Sequence, residues 1–343
     1  LNLETNEIET MLSKFTVVAT GGCGNVYSAT SNPVVATGDG IAMCHRAKAI
    51  TENMEFIQFH PTSLYNPGER PSFLITEAMR GFGGLLRLQN GKEFMQKYHP
   101  MGSLAPRDVV ARSIDHELKI SGEEFVYLDI THKDPKEVMS HFPNIYKKCL
   151  SIGIDLTKDM IPVVPAAHYC CGGIKVNLNG ESSIRRLYAL GEASSTGLHG
   201  GNRLASNSMM EAAVYADAAA RHAISVIDSI ELQRDIPAWD YEGTAVPEEM
   251  ALITQDYKEM QQIMTNYVGI VRSDVRLERA KRRLEIIFKE TEELYLKSTL
   301  SQHLCELRNM IAVGYLIIKQ AEARHESVGL HYSIDYPAKP VEI

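Results

Sequence analysis

Several features that define common protein classes are missing from this sequence. Its 343 residues contain no run of about 18 apolar residues, so no segment has the pattern of a membrane span. The N-terminal residues are acidic and lack the basic and apolar regions of a signal peptide. Positive charge is also scarce, because 35 Lys and Arg stand against 43 Asp and Glu, a net charge of −8. This balance argues against a protein that binds nucleic acid or anionic membranes through general electrostatic attraction.

Motifs for several kinds of site are absent as well. The six cysteines form no CxxC pair, the histidines show no zinc-ligand spacing, and Ser194–Thr196 lies in no GxSxG elbow. The glycine-rich segment near residue 21 is neither a Walker loop nor a GxGxxG turn. We therefore expect a cytoplasmic protein with reduced, buried thiols and no metal site, and we disfavour cysteine or serine catalysis.

The patterns that are present indicate α/β segments followed by a helical region. The apolar run 15–20 predicts a buried strand that ends at Gly21 and Gly22, and a turn around Asp39 opens an alanine-rich helix. A helix over about 207–227 is apolar on most faces, so we expect it to be buried. Amphipathic spacing predicts three long C-terminal helices, roughly Pro247–Tyr267, Leu277–Lys297 and Ser301–His325.

Four short islands combine cations or imidazoles with glycine, proline or hydroxyl neighbours. They contain His60, Arg107, His168 and the pair His199 and Arg203. Each has an ordinary structural explanation on its own. Arg107, however, lies in the first turn of a predicted helix, where a cation opposes the helix dipole unless an anion is also present. Together, the two arginines and two of these three histidines would bind the carboxylates of a small dicarboxylate well. The sequence does not establish whether they converge.

A set of ordered motifs resembles the flavoprotein family of succinate dehydrogenase, fumarate reductase and L-aspartate oxidase. The motifs extend over nearly the whole chain, and within the family they are most similar to the aspartate-oxidising branch. They are ATGG at 19–22, TGDGIAM at 37–43, MEFIQFHPT at 54–62, TE at 76–77, PRD at 106–108, HY at 168–169, GE at 191–192, GLHGGNRLASNSMME at 197–211 and GLHYSIDYP at 329–337.

The resemblance implies an α/β FAD-binding domain, an α+β capping domain and a C-terminal helical bundle domain. On this basis the FAD-binding domain comprises 1–53, with an incomplete first segment, and 171–233. The capping domain comprises 54–170 and the helical domain 240–343. The implied reaction is FAD-dependent oxidation of L-aspartate, or another C4 dicarboxylate, with oxygen or fumarate as acceptor. Quinolinate synthase would take the product in NAD biosynthesis.

The resemblance also implies roles for individual residues. Arg107 is the candidate proton donor and acceptor, and the residues that would hold the dicarboxylate are His60, Thr76, His168 and Arg203. Non-covalently bound FAD would contact Gly21, Gly22, Asp39, Glu192, Ser208 and Met209. The last two would act through the backbone N–H groups of a helix N-terminus.

The sequence departs from the family pattern in two respects. The family's GxGxxG turn for the FAD pyrophosphate is absent, so we expect an N-terminally truncated piece that binds FAD weakly or not at all when made alone. Phe82 stands where relatives carry Glu, which would alter the proton route or the packing of the cap. Two alternatives remain open: a succinate dehydrogenase or fumarate reductase flavoprotein subunit, and a non-catalytic fragment.

Overall fold

The structure is a computed structural model that describes residues 1–246 and 249–337, which form eleven strands and nine α-helices. The strands are β1 (Thr16–Val18), β2 (Thr51–Glu52), β3 (Ile57–Leu64), β4 (Leu85–Arg87), β5 (Val126–Asp129), β6 (Ile161–Cys170), β7 (Gly173–Lys175), β8 (Leu187–Ala189), β9 (Ser194–Ser195), β10 (Val271–Arg272) and β11 (Tyr332–Ser333). The helices are α1 (Asp39–Arg46), α2 (Glu77–Gly81), α3 (Arg107–Ser121), α4 (Pro135–His141), α5 (Pro143–Leu150), α6 (Asn207–Val226), α7 (Met250–Tyr267), α8 (Asp274–Lys297) and α9 (Gln302–Ala323).

The chain divides into two compact units. The first unit contains residues 1–28, 35–58 and 169 onward, and the second unit contains residues 29–34 and 59–168. The second unit is therefore inserted between segments of the first. The boundaries fall within β3 and β6, after Gln58 and His168 respectively.

The second unit is built on a four-stranded sheet in the order β3-β6-β5-β4. Strand β5 runs antiparallel to both neighbours, with Leu86 opposite Leu128 and Val126 opposite Val163. These side chains are buried together with Ile114 of α3. Helix α3 ends at Gly122, whose left-handed backbone (φ 76°) suits glycine. This core supports strands β3 and β6, which carry His60 and His168, and helix α3, which begins at Arg107.

The first unit contains short sheets and five helices. Strand β1 pairs in parallel with β8, and β2, β7 and β9 form a three-stranded sheet. The expectation that β1 is buried was wrong, because Val18 is buried but Val17 is 54% exposed. The expectation for α6 was also wrong, because its buried residues are Glu211 and Ala219, whereas Met209, Met210, Val214 and Ile224 are exposed. An apolar sequence is buried only where another element packs on it.

The three predicted C-terminal helices are present and pack together. Helices α7, α8 and α9 agree with the predicted bounds to within a few residues. Ser273 and Ser301 cap α8 and α9 by accepting backbone N–H groups of Arg276 and Leu304. Helix α9 is the central one, since eleven of its residues are buried. Among the described residues, no helix combines the length and apolarity that crossing a bilayer requires.

The packing of the three helices predicts a clear contrast between two leucines of α8. Leu284 is 2% exposed, whereas Leu296 is 73% exposed. We expect Leu284→Ala to lower the free energy of unfolding by about 2–5 kcal/mol, because it leaves a cavity. The matched control Leu296→Ala should change it by less than about 0.5 kcal/mol. Urea denaturation would measure both, and equal effects would contradict this packing.

Candidate active site

Two of the predicted histidines lie together in the second unit. The ring centroids of His60 and His168 are 5.9 Å apart, in an edge-to-face arrangement. His60 is buried in β3, at 3% exposure. Nδ1 of His168 lies 2.7 Å from the Ser31 hydroxyl, which fixes the orientation of that ring. The structure therefore brings together two imidazoles that are 108 positions apart by their residue numbers.

His60 is held in its neutral form. Burial, followed by the nearby His168, Arg107 and Arg80, lowers the pKa of His60 to about 3. The backbone N–H of Thr62 donates to Nδ1 at 3.3 Å, so the single ring proton of the neutral form is on Nε2. His60 can therefore donate one directed hydrogen bond without contributing charge.

Arg107 begins helix α3 and is paired with a carboxylate that sequence reasoning did not assign to the site. Its Nε lies 2.5 Å from Oε2 of Glu77, the first residue of α2. Glu77 also faces Arg80, whose Nη2 is 3.5 Å from Oε1. The anion needed beside a cation at a helix N-terminus is therefore Glu77.

Arg80 is the second residue that sequence reasoning missed. It is 1% exposed, and its Nη1 donates to the backbone carbonyl of Ser103 at 2.8 Å. Burial lowers the pKa of Arg80, and Arg107 acts in the same direction. The sequence signal that could have identified Arg80 is the Glu three positions before it, at the start of a short helix. Arg80 and Arg107 carry two positive charges and Glu77 carries one negative charge, so this cluster favours an anionic ligand.

Thr76 and Phe82 lie at opposite ends of α2. The Thr76 hydroxyl accepts the Ala78 N–H at 3.3 Å and caps the helix, so its own proton is still available to donate. The Phe82 ring packs at centroid distances of 4.7 Å from His141 and 5.5 Å from Phe142. Phe82 therefore has a packing role in the second unit. Its predicted effect on a proton route stays a prediction.

Arg203 belongs to the first unit, where its guanidinium is tightly held. Nη1 donates to Oε1 of Gln58 at 2.9 Å, and Nε donates to the Ser208 hydroxyl. The guanidinium carbon lies 4.1 Å from the ring centroid of Tyr169, in a cation–π contact. Its predicted participation in one site with His60 and Arg107 stays a prediction.

A buried polar network holds the ring of Tyr169, on which the Arg203 guanidinium lies. The Tyr169 hydroxyl is 3.2 Å from Nε2 of His199, and that nitrogen is 2.8 Å from Oε2 of Glu211. Thr196 donates its hydroxyl to the other carboxylate oxygen of Glu211. Burial is the main factor that raises the pKa of Tyr169. His199 and Glu211 therefore act on Arg203 indirectly, by positioning Tyr169.

The predicted cofactor residues of the first unit form a close-packed turn region. A Cβ atom at Gly22 would lie 2.2 Å from Oε1 of Glu192, so the carboxylate fits against this residue only because it is glycine. Gly21 has a φ of 73°, and the Gly38 N–H donates to the Gly22 carbonyl at 3.2 Å. Asp39 follows directly at the start of α1, where Asn309 donates to its carboxylate at 2.7 Å.

The same region has the groups that a large polar cofactor needs. The pKa of Glu192 is raised to about 7 by burial, and the Cys170 N–H donates to its carboxylate at 2.9 Å. Ser208 and Met209 lie in the first turn of α6, which has no side-chain cap. Met209 is 82% exposed. A buried carboxylate can accept hydrogen bonds from the hydroxyl groups of a ligand. The free N–H groups of an uncapped helix N-terminus can bind an anionic edge of the ligand, so these residues fit FAD.

Comparisons with known proteins show which families and structures this chain is similar to. Residues 1–209 match the family model described as FAD binding domain, and residues 257–340 match the one described as fumarate reductase flavoprotein C-term. L-aspartate oxidase from Pseudomonas aeruginosa is 49% identical over 337 residues, and that from Yersinia pestis is 48% identical over 336. Among solved structures, Mycobacterium smegmatis Sdh1 in complex with UQ1 has a TM-score of 0.80 at 33% identity over 95% of this chain.

The fold and the cofactor region define a flavoprotein. The chain belongs to the FAD binding domain family, and FAD is its cofactor. The two curated relatives each cover 98% of this chain, which spans 62% and 63% of their respective lengths. It spans 57% of the Mycobacterium smegmatis chain. The fold expected from the sequence, with FAD-binding and C-terminal flavoprotein domains, is confirmed at this level.

The depressed pKa of His60 predicts a pH dependence of stability. A pKa of about 3, below the ordinary 6.5, means that the unfolded chain binds a proton that the folded chain does not. This contribution is present above about pH 6.5 and is lost as the pH falls toward about 3. We expect His60→Gln to flatten the decline in unfolding free energy between about pH 6.5 and pH 4, measured by urea denaturation. An unchanged pH slope in His60→Gln would contradict the neutral, buried imidazole.

Proposed function

We propose that this chain acts in the FAD-dependent oxidation of L-aspartate to iminoaspartate, with oxygen or fumarate as electron acceptor. The observation that carries the proposal is the pair of Arg107 and Glu77 near the neutral His60, with His168 beside that imidazole. The proposal is also supported by the names of the relatives from Pseudomonas aeruginosa and Yersinia pestis. Quinolinate synthase is the proposed consumer of the product in NAD biosynthesis, in the cytoplasm.

The substrate-binding roles follow from charge and hydrogen-bonding capacity. A guanidinium can bind a carboxylate through two parallel hydrogen bonds. Glu77 contacts the Nε of Arg107, so the Nη groups of Arg107 can bind the substrate carboxylate. His60 donates from Nε2, and the Thr76 hydroxyl can donate while it caps α2. His168 adds a second imidazole at the same place. Arg203 is the proposed further ligand of the dicarboxylate.

The reaction removes a hydride equivalent from the substrate Cα and a proton from its amine. When bound, FAD supplies the two-electron acceptor. Arginine is a poor base in water, since its pKa is above about 12. In this site Arg107 would first pass its Nε proton to Glu77 Oε2, 2.5 Å away, and the neutral guanidine that results is basic at Nε. Uptake of the substrate proton at that nitrogen restores the Arg107 cation, and Glu77 holds the proton that Arg107 gave up.

The finer domain layout is part of the same proposal. Residues 54–170 would form a capping domain inserted into the FAD-binding domain of 1–53 and 171–233, with a helical domain from 240. The inserted second unit, 29–34 and 59–168, is compatible with such an insertion. The proposed non-covalent FAD contacts are Gly21, Gly22, Asp39, Glu192, Ser208 and Met209. Weak FAD binding by the isolated chain also remains a prediction.

A succinate dehydrogenase or fumarate reductase flavoprotein subunit is the second candidate. It is favoured by the likeness to Mycobacterium smegmatis Sdh1, which is less identical in sequence than the L-aspartate oxidases. Both kinds of enzyme act on C4 dicarboxylates. Assays of the intact enzyme that carries this sequence, with L-aspartate against succinate, separate them. Oxidation of succinate without oxidation of L-aspartate would favour the second candidate.

Arg107 provides the test of the proposed chemistry. We expect Arg107→Leu in the intact, flavin-loaded enzyme to lower kcat for L-aspartate oxidation by at least about 10²-fold, because the proton acceptor and a carboxylate ligand are both lost. The flavin absorbance should be unchanged, since Arg107 is in the second unit and the proposed FAD contacts are in the first.

The control is Arg282→Leu, which removes a 70% exposed arginine of α8 that is paired with Glu278 at 3.8 Å. It should leave turnover and flavin content as they are in the parent protein. Retained turnover in Arg107→Leu, with flavin bound, would overturn the role of Arg107.

A further inference from the structure

A cleft in the first unit is lined by none of the residues assigned to aspartate or FAD. It has a volume of about 680 Å³ and is lined by residues of α8, α9 and the C-terminal end of α1. Small-molecule sites in proteins commonly have volumes of about 300–1,000 Å³. The cleft is therefore large enough for a ligand the size of a substituted benzene ring.

The charges along the cleft are unbalanced. Five permanent cations and two carboxylates line it. Both carboxylates are already paired, because Arg308 Nη2 is 2.8 Å from Oε2 of Glu292 and Lys289 is 2.9 Å from Glu285. Within 1–246 and 249–337, neither Arg46 nor Lys48 forms an ion pair. The positive charge of the cleft is thus concentrated at the end of α1.

Arg46 is held in one orientation with part of its guanidinium unused. Nη2 donates to Oδ1 of Asn309 at 2.7 Å. Nη1 is buried and has no hydrogen-bond partner in the described part of the chain. An unsatisfied buried donor on a charged group is costly, so the charge of Arg46 is only partly compensated within the described chain. The second Asn309 contact, to Asp39, fixes the amide that holds Arg46.

The electrostatic surroundings agree with this geometry. Burial lowers the pKa of Arg46, and Arg308 lowers it further. Burial also lowers the pKa of His45, with added contributions from Lys48, Lys319 and Arg46. The lysines and the arginine that α8 and α9 contribute to the cleft are paired with carboxylates, so among the described residues its unpaired cations are those at the C-terminal end of α1.

One wall of the cleft is apolar and partly aromatic. Leu284 and Ile311 form its buried part, and Phe288 and Tyr315 are 46% and 41% exposed. Half-exposed aromatic rings beside unpaired cations are suited to a ligand with both an anionic group and a flat apolar body.

We propose that this cleft binds a small organic anion. Its carboxylate or phosphate would contact Arg46 and Lys48, and its planar apolar body would lie against Phe288 and Tyr315. The cleft shares no lining residue with the proposed aspartate and FAD contacts, so this inference goes beyond the proposed function and is tested independently of turnover.

The test uses the intact protein with ¹³C-labelled histidines and phenyl phosphate as the probe. We expect saturable shifts of the His45 signal and a higher pKa for His45 in the complex, because a bound anion stabilises the imidazolium. Inorganic phosphate should bind at least about tenfold more weakly, because it lacks the planar apolar body. Benzyl alcohol should not shift the signal, because it lacks the anionic group. Absence of saturable binding, or equal affinity for inorganic phosphate, would overturn the proposal.

Variants identify the residues responsible. Arg46→Gln, Lys48→Gln and Phe288→Ala should each weaken phenyl phosphate binding by about tenfold. Lys48 and Phe288 are exposed side chains, so their variants carry the test if Arg46→Gln is unstable. The control Lys297→Gln removes a 77% exposed lysine from α8 outside the cleft and should leave the affinity unchanged. Unchanged affinity in Lys48→Gln and Phe288→Ala would contradict the site.

Discussion

The ion pair between Arg107 and Glu77 is the interaction on which the candidate site depends. A guanidinium at the N-terminus of α3 is unfavourable by itself, because the helix dipole is positive there. Glu77 removes that cost and also provides a destination for a proton, which an isolated arginine lacks. Arg80, buried behind the pair, keeps the cluster cationic despite the carboxylate. In the proposed function, carboxylate binding and proton movement would use the same three side chains.

The candidate site combines a neutral donor with cationic ones. His60 is uncharged chiefly because it is buried, and the nearby His168, Arg107 and Arg80 also disfavour an added charge there. In the first unit, Tyr169 is positioned by His199 and Glu211 and carries Arg203 on its ring. In both units the side chains that would touch a ligand are supported by others, which restricts them to one geometry.

Local sequence patterns predicted the elements that local interactions determine. The bounds of α6 and the three C-terminal helices follow from apolar spacing, and the islands around His60, Arg107, His168 and Arg203 were recognised. Glu77 was not assigned a role, because its contact with Arg107 depends on how α2 and α3 pack. The exposure of β1 and α6 was mispredicted for the same reason: burial depends on neighbours that the segment itself does not encode.

The role of Glu77 tests the account most directly. Glu77→Gln keeps the size and hydrogen-bonding reach of the side chain but removes its ability to take up a proton. In the intact, flavin-loaded enzyme, kcat for L-aspartate oxidation should fall by at least about 10²-fold with little change in KM. The control Glu137→Gln, an exposed first-turn glutamate of α4, should retain full turnover. An unchanged kcat in Glu77→Gln would contradict the claim that the Arg107–Glu77 pair moves the proton.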